Sequence, residues 1–252
     1  MLNRRPLLAA AFAGAMSMLM GAPALAAETK VAVAANFTEP AKEIAAKFEA
    51  ATGDKVTLSF GSSGQFYTQI ANGAPFEVFL SADSERPTKA EADGLAVPGT
   101  RFTYATGRLV LFSKTPGLVD PKGAVLKTGT FEKLAIADPK AAPYGQAAVE
   151  TLTKLKLYDA LKPKIVTGSS ITQAYQYVQT GAAELGFVAL SQVINETGGS
   201  RWLAPAADHT PIDQQAVLLK TGADNPAAKA FLKYLKSQDA KAIIKRYGYE
   251  VK

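Results

Sequence analysis

Short β-branched or apolar runs alternate with stretches of helical periodicity along most of this chain, and that order narrows the possible folds more than any other feature. Val31-Ala32-Val33 leads into Thr38–Ala51, where Ala41, Ile44, Ala45 and Phe48 recur at helix spacing ahead of Gly53. Val56–Phe60 leads into Gln65–Ala71, and Val78–Leu80 into the polar stretch Glu85–Asp93, closed by Gly94. Arg108–Phe112 reads as a strand. Leu134–Ala137 precedes a helix around Gly145–Lys156, and Ile165-Val166 precedes Thr172–Gln179. Leu185–Ala189 and Ala216–Leu219 are further strands, with terminal helices at Pro226–Lys236 and Asp239–Arg246. A strand followed by a helix returns to pair in parallel, so the expectation is an α/β protein with mostly parallel sheets. Pro and Gly are dense at Ala96–Thr100, Pro116–Gly123 and Thr197–Pro211. Their positions suggest one lobe from 27–106 plus 209–252 and a second from 107–208.

The N-terminus is set apart from this pattern. Arg4 and Arg5, the apolar run Leu7–Met20 and the small-x-small triplet Ala24-Leu25-Ala26 read as a secretory signal peptide, residues 1–26, cleaved near Ala26. Arg4-Arg5 fits either general secretory or twin-arginine export. The full chain has 252 residues, 28 basic and 22 acidic, for a net charge of +6; without residues 1–26 the charge is +4. That mild surplus has no basic run and argues against a nucleic-acid surface. No further apolar stretch reaches the roughly 18 residues that a spanning helix needs.

Missing residues exclude whole classes of chemistry. The chain contains no cysteine, hence no disulfide, thiolate metal site, cysteine nucleophile or lipidated cysteine. Its single histidine, His209, excludes a multi-histidine metal site. Any serine–histidine enzyme would rest on His209 alone, in the turn Asp208-His209-Thr210-Pro211.

Four strand-to-helix junctions have small, neutral, polar linkers. These are Ala34-Ala35-Asn36-Phe37-Thr38, Gly61-Ser62-Ser63-Gly64, Ala142-Pro143-Tyr144-Gly145 and Thr167-Gly168-Ser169-Ser170-Ile171. Ligands of open α/β sheets bind at such ends, where unpaired N–H groups and a helix dipole suit an anion. Each junction alone is equally an ordinary capped helix start. No junction carries Lys or Arg; the second lacks the Lys-Ser/Thr of a P-loop and the G-x-S-x-G of a nucleophile elbow. Asp83 and Asp138 read as caps or turn residues, and Tyr175 and Tyr177 as core packing. The junctions leave open a receptor for some oxyanion or small polar solute, an exported hydrolase using Ser63, or a structural domain that binds nothing.

Separated motifs in order then carry a resemblance. They are Val31–Phe37, Ser59–Gly64, Gly73-Ala74-Pro75-Phe76-Glu77-Val78-Phe79-Leu80-Ser81-Ala82-Asp83 and the ending Lys245-Arg246-Tyr247-Gly248-Tyr249. From about Ala27 to Lys252 the chain resembles the periplasmic molybdate-binding proteins that feed ABC importers. The resemblance implies a type II periplasmic-binding-protein fold of two lobes with a two-strand hinge. It implies a soluble periplasmic monomer that is not an enzyme and has no cofactor. Molybdate or tungstate would be held as an oxyanion by neutral donors and passed to a membrane permease. Motif by motif, the implied ligand residues are Asn36, Ser63, Tyr144 and Ile171, with Ser62 and Ala35 beside them. Two departures stand out. Ala189 occupies a position where many members have tyrosine, which suggests that the Tyr144 hydroxyl supplies a replacement contact. Glu77, where aspartate is frequent, reads as structural or as supporting the site from behind.

Overall fold

The computed structural model describes residues 26–251. The expected signal peptide, apart from Ala26, lies outside the described residues. Strands in chain order are β1 (Glu28–Ala34), β2 (Lys55–Gly61), β3 (Val78–Leu80), β4 (Phe102–Gly107), β5 (Leu109–Ser113), β6 (Leu134–Ala137), β7 (Ile165–Gly168), β8 (Leu185–Ala189), β9 (Ser200–Leu203) and β10 (Ile212–Leu218). Helices are α1 (Thr38–Thr52, entered through a 3-10 turn Ala35–Phe37), α2 (Ser63–Ala71), α3 (Glu85–Ala92), α4 (Val125–Thr128), α5 (Pro143–Lys154), α6 (Tyr158–Leu161), α7 (Ile171–Gln179), α8 (Leu190–Val193), α9 (Pro226–Tyr234) and α10 (Gln238–Arg246).

The strands form two sheets, β2-β1-β3-β10-β4 and β7-β6-β8-β5-β9, each the base of one lobe. In both, the first three strands pair in parallel, and a single strand, β10 or β5, opposes the rest. This is the α/β arrangement expected from the strand-helix order, with each sheet mixed: its parallel trio is extended by two antiparallel pairings. The chain passes from the first sheet to the second between Gly107 and Leu109, and returns between Leu203 and Ile212. Two crossings make the hinge.

Alternation along β1 explains how the first lobe is layered. Val31 and Val33 face a core with Phe37, Ile44 and Phe48 on one side and Phe231 and Ile243 beyond. Ala32 faces the opposite core with Phe66, Ile70 and Phe79. Helices thus cover both faces, as parallel strands require. Gly53 ends α1 in the left-handed conformation at φ 80°, with its N–H bonded to Glu49 O. In the second lobe every residue of β5, β6 and β8 is buried. Phe187, wholly buried there, is a residue whose truncation to alanine costs about 3–5 kcal/mol. Gly145 lets α5 start directly on the end of β6, since a Cβ there would lie 2.2 Å from Ala137 O.

Strands β4 and β9 and the short helices α4, α6 and α8 have no counterpart among the sequence expectations. In β9 only Trp202 is buried, and four-residue helices complete too little of a period to register. Helices α2 and α5 begin two residues earlier than periodicity indicated: Ser63-Gly64 and Pro143-Tyr144 read as polar or turn-forming linkers, although Ser63 and Tyr144 are buried on the inward faces of their helices.

Candidate functional site

The four polar junctions follow β1, β2, β6 and β7, at the carboxyl ends of the central and outer parallel strands of each sheet. Both pairs meet where the lobes face one another. Ala34, Ala35, Asn36, Gly61, Ser62, Ser63 and Ala82 from the first lobe, with Ala142, Pro143, Tyr144 and Ile171 from the second, line one cavity of about 10 Å³. That is room for one small group. All six expected ligand residues border this cavity, and no charged side chain does. The cleft is closed around it: Gly64 N donates to Ala141 O at 2.8 Å, and Arg86 Nη2 to Lys140 O at 2.9 Å. A larger opening of about 340 Å³ borders Ala35 and Asn36, but Glu39 lines it and would repel an anion.

Ser62 separates ligand chemistry from simple capping. It precedes α2 with extended backbone, φ −77° and ψ 148°, yet its hydroxyl makes no capping bond. Its Oγ is buried without a hydrogen-bond partner. By contrast Ser170, Asn225 and Ser237 all cap their helices by accepting a main-chain N–H. Leaving a hydroxyl buried and unpaired costs about 1–3 kcal/mol unless something is there to receive it. Ser63, also buried, accepts Ala82 N–H at 2.9 Å on its Oγ, which leaves its own hydrogen to donate.

Main-chain donors complete the set. Ser63, Tyr144 and Ile171 lie in the first turns of α2, α5 and α7, where N–H groups have no intrahelical partner. Asn36 lies in the 3-10 turn before α1. Pro143 at the start of α5 has the fixed φ that position favours and lacks an N–H that would go unused. Each of these helices brings the positive end of its dipole to the junction. The arrangement can hold an anion through neutral dipoles alone.

Two expected residues are engaged in ways the sequence did not reveal. The Asn36 amide donates from Nδ2 to Gln214 Oε1 at 2.8 Å and to Tyr249 Oη at 2.9 Å, so its side-chain hydrogens are already taken. The Tyr144 hydroxyl accepts from Gln214 Nε2 at 3.3 Å and packs against Gly107. A Cβ at Gly107 would lie 2.1 Å from that hydroxyl, so glycine is needed there for close approach. Burial pushes the Tyr104 and Tyr144 hydroxyls well above the usual tyrosine range and that of Tyr249 up to about 12. All three stay neutral at physiological pH.

Other singled-out residues lie apart from the cavity. Asp83 accepts Arg86 N–H at 3.0 Å in the first turn of α3, and Asp138 accepts Lys140 N–H at 2.9 Å in a turn. Glu77 bonds Lys30 N and Asn225 Nδ2 at the opposite ends of the strands. His209 Nδ1 sits 2.8 Å from Thr210 O, and His209 does not line the cavity with Ser63. Tyr175 and Tyr177 pack against the second lobe's core. Ala189, at the end of β8, offers no hydroxyl and bonds Gln192 through its N–H. Gln214, Tyr104, Ser191 and Tyr249 escaped sequence reasoning as parts of the site. The signal for Gln214 was a polar residue at an inward position of β10, between buried Ile212 and Ala216. Tyr249 stood in the quoted C-terminal motif without an assigned contact.

Comparison with known proteins agrees with this geometry. Residues 29–250 match the family of bacterial extracellular solute-binding proteins. The chain is 60% identical over 239 residues to the molybdate-binding protein ModA of Rhodobacter capsulatus, covering 94% of each. It is 58% identical over 234 residues to ModA of Azotobacter vinelandii, covering 92% of this chain and 93% of that one. The solved periplasmic molybdate-binding protein of Azotobacter vinelandii superposes with a TM-score of 0.86 and 45% identity, over 89% of this chain and 99% of that one.

Proposed function

Because the chain belongs to the bacterial extracellular solute-binding proteins and, among them, to the molybdate-binding proteins, we propose that its cleft captures molybdate or tungstate and delivers it to an ABC importer. It works in the periplasm as a monomer, binding rather than transforming its ligand. Residues 27–106 with 209–252, and residues 107–208, are the two bodies that open and close around the ion. Asn36, Ser63, Tyr144 and Ile171 hold it, with Ser62 as a further donor and Ala35 close by.

One observation carries the reading: a charge-free cavity between the lobes is lined by donors from four separate junctions, among them the unpartnered Ser62 hydroxyl. A dianion there gains charge-assisted hydrogen bonds of about 1.5–3 kcal/mol each. Main-chain N–H groups cannot accept, so among the groups assigned to the site only the serine oxygens could take a protonated phosphate's hydrogen, and a serine so used binds less well than it does to a bare dianion. Sulfate, with shorter bonds to oxygen, leaves donors spaced for molybdate overstretched. Closure would present both lobes to a permease.

Titration calorimetry with molybdate, tungstate, sulfate and phosphate tests this. Molybdate and tungstate should bind at least about a hundredfold more tightly than sulfate or phosphate, a difference of roughly 2.8 kcal/mol. Equal affinity for sulfate would overturn the assignment.

A further inference from the structure

Asn36 leads from the cavity into a buried hydrogen-bonded cluster that belongs to neither lobe alone, and whose members Gln214, Tyr104, Tyr249 and Ser191 lie behind the cavity wall. Gln214, fully buried on β10, accepts from Asn36 Nδ2 at 2.8 Å and from Tyr104 Oη at 3.1 Å on one oxygen. Its nitrogen donates to Tyr144 Oη at 3.3 Å. Tyr249 accepts from Asn36 Nδ2 at 2.9 Å, and its hydroxyl lies 2.7 Å from Asn36 O and 2.9 Å from Ser191 Oγ. Ser191 Oγ in turn donates to Asn36 O at 2.8 Å.

Membership in the lobes is the telling feature. Asn36, Tyr104, Gln214 and Tyr249 come from the first lobe, Tyr144 and Ser191 from the second. Three contacts therefore cross the cleft: Gln214 to Tyr144, Tyr249 to Ser191, and Ser191 to Asn36. The cluster is complete only while the lobes are closed. Both the side-chain amide and the carbonyl of Asn36 are held, which fixes this residue at the start of the helix that faces the cavity.

We propose that Gln214 and Tyr249 are positioning residues for the anion site, holding Asn36 in place and tying it through Tyr144 and Ser191 to the second lobe, so that closure and donor alignment are one step. This rests on the reading of the cavity as an oxyanion site. Bonds that exist only in the closed form, and do not touch the ligand, slow its escape without affecting its encounter with the open form. Their loss belongs in the dissociation rate.

Tyr249→Phe removes one oxygen and keeps the ring; Ser191→Ala removes its partner across the cleft. The release of isotope-labelled molybdate into unlabelled excess is measured for the parent, both single variants and the double variant, with association rates alongside. Each single variant should release molybdate about tenfold faster, roughly 1.4 kcal/mol, with association changed less than about threefold. The double variant should be little worse than either single one, because the two side chains form one link. Release within about twofold of the parent in folded single variants, or effects that multiply in the double variant, would overturn the positioning role while leaving the oxyanion reading intact. A parent that binds none of molybdate, tungstate or sulfate overturns that reading and this inference with it.

Discussion

Strands β1 and β6 hold the same place in their two sheets, and so do β2 and β7, yet the helices that follow them offer different groups to the cavity. From the first lobe come side-chain hydroxyls, the free Ser62 Oγ and the donor hydrogen of Ser63. The second lobe offers Tyr144 and Ile171 at helix starts, where the available donors are main-chain N–H groups. At its one comparable serine, Ser170, the hydroxyl is spent on capping α7 through Gln173 N. One topology therefore supplies donors that substitution can remove and donors that the backbone dictates. A site built from both can be tuned on one side without losing the frame on the other.

The sharpest way to break this comparison is at the hinge, where both lobes depend on one glycine. Gly107→Ala would drive a methyl group into Tyr144 Oη and Gln214 Nε2, at 2.1 and 2.7 Å. Overpacking of about 1–3 kcal/mol should appear as up to a hundredfold weaker molybdate binding by calorimetry. Unchanged affinity would mean that hinge spacing and pocket are independent.

Next in size are the donors themselves. Ser62→Ala and Ser63→Ala should each weaken binding by roughly ten- to a hundredfold. In the second lobe, Ile171→Val should leave affinity within about threefold, since the N–H remains. Ile171→Pro is the matching deletion: proline is tolerated at a first helical position, and Ser170 already has the extended backbone, φ −149° and ψ 169°, that a following proline demands. Its loss should approach that of the serine variants, with Ile171→Ala measuring the lost packing. If Ile171→Pro binds as well as Ile171→Ala, the main-chain side of the comparison fails.

Tyr144→Phe is expected to cost less, about tenfold by calorimetry, because its hydroxyl links to Gln214 across the cleft. The smallest effect concerns pH. With no titratable group other than Tyr144 lining the cavity and the buried tyrosines held neutral, affinity should vary less than about threefold between roughly pH 6 and 9. Stability behaves differently at higher pH. Unfolded tyrosines lose protons near pH 10, whereas folded Tyr249 keeps its proton to about 12, so the folded state binds more protons in that window. Its contribution is present in full below about pH 10 and falls as pH rises toward 12, which thermal unfolding across that range checks.

Much of this was legible from local pattern. The major helices and the central strands announced themselves through apolar spacing, and Ser63, Asn36, Tyr144 and Ile171 through their place at polar junctions and the family resemblance. The difference between Ser62 and Ser170 was not legible. Both are serines before a helix, and only the packed structure takes one as a cap and leaves the other buried at the cavity without a hydrogen-bond partner. Gln214 looked like one more polar residue in a strand until its partners came from three other segments.

By itself, the sequence determined the α/β order of strands and helices and a set of neutral helix starts free of Lys and Arg, because periodicity and junction chemistry act over a few residues. Tertiary structure alone decided that four junctions converge, that Ser62 stays unpaired and that Asn36 joins the two lobes. The reason is distance along the chain: Asn36 meets partners 155, 178 and 213 residues away. A buried polar atom must find its partner wherever the fold brings one, and no local rule names it.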